Sequence, residues 1–559
     1  MKNITILCYF LTFFSLLSEN VMAQKDESKL SAKKKVKIAK EYFRVEEYHH
    51  SLDLFGDLLK KDPHNPEYNY YYGVSLLHME EQHKGDALQP LLKAEESGKY
   101  FPKLYFYLGR AYHLNHDFDQ AIAFYKKHTQ KETKFEDDSN PDVINYLVKQ
   151  CENGKQMVAN PVNVEIYNLG DNINTEAPEI APVVSADETR LIFTSRRKDS
   201  TGGEIDPMMG LPYEDIYIVE KDENGQWGEP RNIGAPINTN RHDASIGLSP
   251  DGQELFIYKD EFSATSLVTG SIYKSVMQNG KWSVPEKLQE GINVTNTRET
   301  HATITPDEKI LIFTSSRQEE GAQGGLDLYM VRRLPNLQWA KPVNLGSTIN
   351  TPYDEESPFL HPNGKILYFS SKGHDSMGGY DIFYSEWDEK TEQWSKPKNV
   401  GYPINTADDD LFYSVSADGM RGYFTSVRSD SRGGHDLYVA DVPSRDLKII
   451  ALKGKVLDKE TQQPLAATIV AVNNETGMFV SLANSNNNNG RFSLFLEPNK
   501  NYGIRVIKEG YLFKSLNINV PNQFEYLELD EVFYLQKNGT EKLEVLNNIF
   551  FSDETADLM

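Results

Sequence analysis

Two cysteines, Cys8 and Cys151, are too few to staple a chain of 559 residues. Cys8 lies behind Leu7 in a leading apolar run and lacks the small neighbours of a lipid-attachment site. With that run removed Cys151 stands alone, so stability has to come from core burial and repeat stacking, not from an internal disulfide. Basic residues are in deficit: 59 Lys and Arg face 82 Asp and Glu, for a formal charge of −23. A phosphate-binding face needs the opposite balance, so nucleic acid is excluded as a partner. No apolar run is long enough to span a bilayer. A Gly-x-Ser-x-Gly elbow is missing, and no pair of carboxylates stands out as an acid and a base. We therefore expect no catalytic residues, no metal and no cofactor.

The leading run is itself informative. Lys2, the apolar stretch Ile4 to Leu17 and the small-residue site Val21-Met22-Ala23 before Gln24 read as a secretory signal over residues 1–23. An exported, periplasmic chain is expected.

Residues 28–158 carry helical periodicity. Ala39, Tyr42, Phe55, Leu58 and Pro63 take the small, aromatic and proline positions of a helix-turn-helix repeat of about 34 residues. Gly73, Ala87, Leu91 and Ala94 give a second copy; Tyr105, Leu108, Gly109, Tyr112, Ala121 and Tyr125 give a third. The segment resembles tetratricopeptide (TPR) repeats. That resemblance implies a concave protein-binding groove, with Tyr72, Tyr105 and Tyr112 as candidate contacts. His78 and His83 are five apart, not the four that would place both rings on one helix face, so no zinc site is expected. The lysines from Lys29 to Lys40 read as a solvated helix face.

Between Gly170 and Pro443 a unit recurs five times. Its mark is Gly-x-x-Ile-Asn-Thr, ending at Thr175, Thr239, Thr351 and Thr406, with a looser copy at Thr295-Asn296-Thr297. The asparagines are 64, 58, 54 and 55 positions apart, a period that indicates a propeller ring of short strands. Turns such as Ser249-Pro250-Asp251-Gly252 fix the first hairpin of each unit. The segment Val164 to Gly170 matches Pro397 to Gly401, so it is expected to complete the last blade beside Leu437–Val439 and seal the circle. A carboxylate recurs in all five units: Glu179, Asp243, Glu299, Glu355 and Asp410. Innermost strands line a propeller's axis, so these five are the candidate acidic ring at one channel mouth. Two readings stay open: a site for a cation or basic side chain, or acceptors for N–H groups of the adjoining Ile-Asn-Thr loop. The Gly-rich loops Asp375 to Asp381 and Asp430 to Asp436 read as capped turns. Arg197, Arg317, Lys372 and Arg428 are expected to pair with nearby carboxylates. These units resemble TolB-like propeller repeats.

After the ring, Leu452 to Val456, Pro464-Leu465, Val470 to Val472, Asn489 to Phe492 and Glu509 to Tyr511 resemble a carboxypeptidase regulatory-like β-sandwich. Asn486 to Gly490 reads as a hairpin tip. Leu543 to Phe551 resembles the opening of an OmpA-like domain whose body is absent before Met559, so peptidoglycan binding transfers to no residue here.

The expected architecture is multidomain: α-helical TPR repeats (24–158), a five-bladed β-propeller (159–446), an all-β sandwich (447–537) and the truncated OmpA-like opening (538–559). This order resembles the OmpA-family accessory proteins of the type IX secretion and gliding machinery, the PorE-like group. The resemblance implies a non-enzymatic periplasmic scaffold, associated with the outer membrane, whose partners are envelope proteins. The alternative is a sensor whose propeller takes a ligand, a cation or a glycan. A propeller glycoside hydrolase is disfavoured because the five acidic positions are symmetric, whereas a catalytic pair differs from its neighbours.

Overall fold

The computed structural model describes residues 30–538, apart from 80–83, 133–138, 207–209, 223, 263–267, 279, 320, 444–446 and 521–525. The secretory signal, His83 and the OmpA-like opening lie outside the described residues. Among the described residues seven α-helices come first: α1 (Ala32–Arg44), α2 (Tyr48–Leu59), α3 (Pro66–Leu77), α4 (Leu88–Glu96), α5 (Leu104–Leu114), α6 (Phe118–Lys131) and α7 (Pro141–Ala159). Asn65 and Asn140 start α3 and α7, each side chain accepting two backbone N–H bonds ahead of a proline. The helices pack as hairpins through small residues. A side-chain carbon on Gly109 would sit 2.5 Å from the Tyr125 ring, so α5 and α6 approach closely only because residue 109 has none. Cys151 is buried in this helical layer. Among the described residues no helix is long and apolar enough to cross a membrane.

Five antiparallel sheets follow. Their innermost strands are Glu179–Val184, Asp243–Leu248, Glu299–Ile304, Glu355–Leu360 and Leu411–Val415. Each touches the next, and the fifth touches the first, so the sheets are the blades of a closed ring. The ring is sealed by a strand from ahead of the first blade: Glu165–Asn168 pairs antiparallel with the last strand, Ile166 opposite Ala440 and Tyr167 opposite Val439. Second strands do not alternate in burial. All six residues of Ile366–Ser371 and of Arg190–Ser195 are buried, because each blade is covered on both faces by its neighbours. All five innermost strands also carry a bulge two or three residues after their acidic position. At three of these Ala181, Ser357 and Phe412 take positive φ.

The last layer is a sandwich of seven strands. One sheet pairs Ile450–Asp458 with Arg491–Leu496 and, in parallel, with Leu527–Leu535. The other holds Phe479–Asn484, Thr468–Asn473, Asn501–Ile507 and Lys514–Asn519. Leu452, Ile469, Leu494, Ile504 and Phe533 fill the space between them.

Candidate functional site at the two mouths of the ring

Innermost strands begin at one face of the ring, the upper, and end at the other, the lower. The Gly-x-x-Ile-Asn-Thr segment reaches the upper face from one blade and drops into the next, fastening both. Asn174 donates to Leu437 O and accepts from Leu437 N, both at 2.9 Å. Asn238 does the same to Ile216, Asn350 to Leu328 and Asn405 to Ile382, at 2.8–3.0 Å. One buried amide side chain thus stands in for a strand residue against the blade before. The third copy departs from the sequence reading. Asn293, not Asn296, bonds Ile272 at 2.8 and 3.0 Å, while Asn296 is exposed with φ 65°. Asn293 stands six residues before Glu299, where the other four asparagines stand five before their carboxylates, so one extra residue pushes the mark off its spacing there.

The threonine of each mark clamps the acidic position of the next blade. Backbone N and Oγ1 of Thr175, Thr239, Thr351 and Thr406 donate to Glu179, Asp243, Glu355 and Asp410 at 2.6–2.9 Å. In the third blade Thr297 Oγ1 reaches Glu299 at 2.6 Å. Second-strand serines add bonds of 2.6–3.1 Å to four of the five. All five carboxylates are 0% exposed. They form five separate loop clamps, and the expected shared acidic ring at an open mouth is corrected accordingly. Along the axis, the innermost strands leave a cavity of only about 30 Å³, room for about one water.

Four carboxylates have a cation. Arg197, Arg317 and Arg428 lie 3.1, 3.4 and 3.6 Å from Glu179, Glu299 and Asp410, and Lys259 pairs with Asp243. Each arginine also covers an aromatic pair on its own blade, as Arg317 covers Phe313 and Tyr329. In the fourth blade Lys372 also pairs with a nearby carboxylate, Asp354 at 3.1 Å, but it leaves Glu355 without a cation. His374 takes the arginine's place, between Phe369 and Phe383, with Nε2 2.8 Å from Ile349 O. Burial without a cation pushes the Glu355 carboxyl up to about 8, and burial raises Asp410 to about 6 despite Arg428. The Gly-rich loops are capped turns: Asp381 accepts from Met377 N at 2.9 Å and Asp436 from Arg432 N at 3.0 Å.

The helices dock on the upper face over the fourth and fifth blades. Lys84 bridges Asp408 and Asp409 at 2.7 and 3.3 Å, and His113 Nε2 lies 2.8 Å from Met377 O. Gln150 bonds Ser376, and Met377 enters the helical core. Burial opposes the Lys84 charge, but the two aspartates outweigh it and hold the ammonium above its ordinary pKa. Lys84→Ala leaves both carboxylates without a cation, a change of about 3–5 kcal/mol for a buried pair. It is expected to loosen the array and speed limited proteolysis of the exposed link at 160–164; an unchanged cleavage rate would mean the ion pair does not hold the dock.

Of the three tyrosines expected to line a groove, the structure brings two together. Tyr112 stacks on Phe124 at 5.3 Å, Tyr105 sits 6.3 Å from the same ring, and Lys127 Nζ lies 4.1 Å over Tyr105. Tyr72, on α3, makes no ring contact with either and packs towards Gly56 of α2. Among the described residues no group of side chains has the makings of a metal site, and His78 stacks on Tyr48 at 4.3 Å.

The lower face holds what the sequence reading missed. The first turn of every blade meets the sandwich. Ser493 donates to Asp187 at 3.2 Å, Asn484 N to Asp251 at 3.1 Å, Leu482 N to Pro306 O at 3.3 Å, and Asn363 to Leu447 O at 3.2 Å. In the fifth blade Val415 and Ala417 pack with Ile449, Ala451 and Phe495. The signal was present: the turn aspartates are braced by the hydroxyl two residues back, as Ser185 to Asp187 at 2.7 Å and Thr305 to Asp307 at 2.6 Å. That leaves a second carboxylate oxygen facing outward.

No protein-family profile and no curated protein matches the chain. Several solved structures are similar to the β-rich part in overall shape. An α-L-arabinofuranosidase from Lactobacillus brevis is 16% identical, over 49% of this chain and 94% of that one, with a TM-score of 0.33. A thermostable family-43 glycoside hydrolase is 13% identical over 49% and 91%, with a TM-score of 0.32. The catalytic domain of a GH62 α-L-arabinofuranosidase from Coprinopsis cinerea is 10% identical over 50% and 96%, with a TM-score of 0.32. No residue of this chain takes a role from them.

Proposed function

We propose that this chain is a non-enzymatic scaffold of the bacterial envelope, exported and associated with the outer membrane, that holds protein partners through its helical array. In this reading the helix pairs serve as tetratricopeptide repeats, and the chain is a relative of the OmpA-family accessory proteins of type IX secretion. The observation that carries it is the stacked group of Tyr105, Tyr112 and Phe124, half-buried beside Lys127 on an array whose other contacts fix it to the ring. Partly exposed aromatics on a rigid support bury much area at little entropic cost, which is why they anchor protein interfaces. The ring then serves as a spacer gripped from above and below, not as a reaction vessel.

The test is an affinity pull-down from envelope extract with the full chain and with the Tyr105→Ala/Tyr112→Ala pair. Specific partners recovered by the parent are expected to be depleted about tenfold or more by the pair, roughly the loss of one hot spot. The same proteins at the same yield would overturn the reading.

A further inference from the structure

Ring and sandwich do not close on each other everywhere. Between the first and fifth blades and the sandwich lies a cavity of about 330 Å³, and a second of about 170 Å³ adjoins it. Asp187, Thr189, Lys221 and Arg491 line both, so these are two chambers of one cleft. Small-molecule sites favour such domain interfaces.

Most charges in the cleft are matched within the protein. Glu188 is held by Arg421 and by Tyr423 at 2.7 Å, Glu528 by Lys453 and by Tyr526 at 2.7 Å, and Glu220 by Arg190 at 2.8 Å. Two cations are left over. Among the described residues no carboxylate lies within 4.0 Å of Arg491, and Lys221 has one carboxylate, Glu188, at 4.0 Å, with its ammonium 4.7 Å over the Trp227 ring. Both reach the neck where the chambers meet.

The second chamber is walled by Asn486, Asn488 and Asn489 of a four-asparagine run. A hairpin tip needs little of this. Gly490 supplies the positive φ, 72°, and Asn486 Oδ1 accepts from Asn488 N at 2.8 Å. Asn489 Oδ1 accepts from Arg491 N at 2.9 Å, which leaves its amide N–H groups unused. Asn488 uses neither end of its side chain in any hydrogen bond within the described residues. The surplus is therefore a set of neutral groups that both donate and accept, beside a guanidinium fork and the Asp187 carboxylate.

A hydroxyl group also donates and accepts, and neighbouring hydroxyls on a sugar ring meet planar amides and guanidinium groups two at a time. A strongly charged ligand fits less well, because aspartates and cations share the walls. We propose that this cleft is a carbohydrate-binding site, in which Asn488, Asn489 and Arg491 hold vicinal hydroxyls and Lys221 and Asp187 contact the sugar at the neck. It is independent of the helical surface.

The experiment is calorimetric titration of the full chain with maltotriose, xylotriose and tri-N-acetylchitotriose. At least one is expected to bind, and both Arg491→Ala and Asn488→Ala are expected to weaken it about tenfold, equivalent to about 1.4 kcal/mol. Both side chains are exposed, so the melting temperature of each variant should match the parent's. Three silent titrations would overturn the proposal, as would binding that survives both substitutions. Binding abolished instead by Tyr105→Ala/Tyr112→Ala would place the sugar on the helices and overturn it equally.

Discussion

Glu299→Ala is expected to lower the stability of the ring by about 3–5 kcal/mol, while Glu355→Ala costs only about 1–3 kcal/mol. The two glutamates occupy equivalent places and are equally buried. They differ in what is left behind. Removing the Glu299 carboxylate leaves Arg317, 3% exposed in its side chain, as a buried cation whose anion is gone. Removing Glu355 leaves hydroxyls and one N–H, because His374 and Lys372 bond elsewhere. With its carboxyl pushed up to about 8, Glu355 is largely neutral at pH 7, so Glu355→Gln is expected to be nearly silent there. Thermal denaturation at neutral pH measures all three. Equal losses for Glu299→Ala and Glu355→Ala would mean that the cation plays no part in the clamp.

A second large effect is confined to acid. His113 is buried between helices and ring, with Nε2 on Met377 O at 2.8 Å and Nδ1 3.4 Å from the Tyr125 hydroxyl. Burial lowers its pKa from 6.5 to about 4, with Arg110 and His116 opposing a further positive charge. The sign follows. Above 6.5 neither the native nor the unfolded state protonates this ring, so it adds no pH dependence. Between 6.5 and 4 the unfolded chain takes up a proton that the native protein refuses, and stability falls as pH falls. For a shift of this size the total is about 3 kcal/mol. His113→Gln, which keeps a donor, is expected to remove that slope and to leave the region above 6.5 unchanged. Urea titrations across the window decide it: parallel curves for the two proteins would show that another group carries the acid sensitivity.

Much of this was legible in the chain. Helical periodicity in the first part, strands in the rest, the five acidic positions and the sealing strand all rest on local pattern, and the coordinates show each. What failed did so where a side chain acts at a distance. The asparagine of each mark bonds the blade before it, so nothing local separates Asn293 from Asn296 once a residue is inserted. Lys372 finds a carboxylate, Asp354, as Arg197 and Arg317 find theirs, but the sequence does not say that His374 would take the place beside Phe369 and Phe383. Both faces of the ring are covered by the flanking domains through contacts such as Lys84 to Asp408, more than three hundred residues apart. No periodicity encodes those. The outward-facing carboxylates turned out to be those of the first turns, Asp187 and Asp251, not those at the start of the innermost strands.

The sealing strand has a mechanical consequence. The helical array leads into it at Glu165, the sandwich leads out of the ring beyond Asp441, and these two residues lie directly opposite each other. Tension applied between the two flanking domains would therefore pull on the same end of one short ladder. Its rungs would bear the load one after another, as in the opening of a zip fastener. Once the docking contacts of the flanking domains had given way, the other four blades would share none of it until this seam had parted.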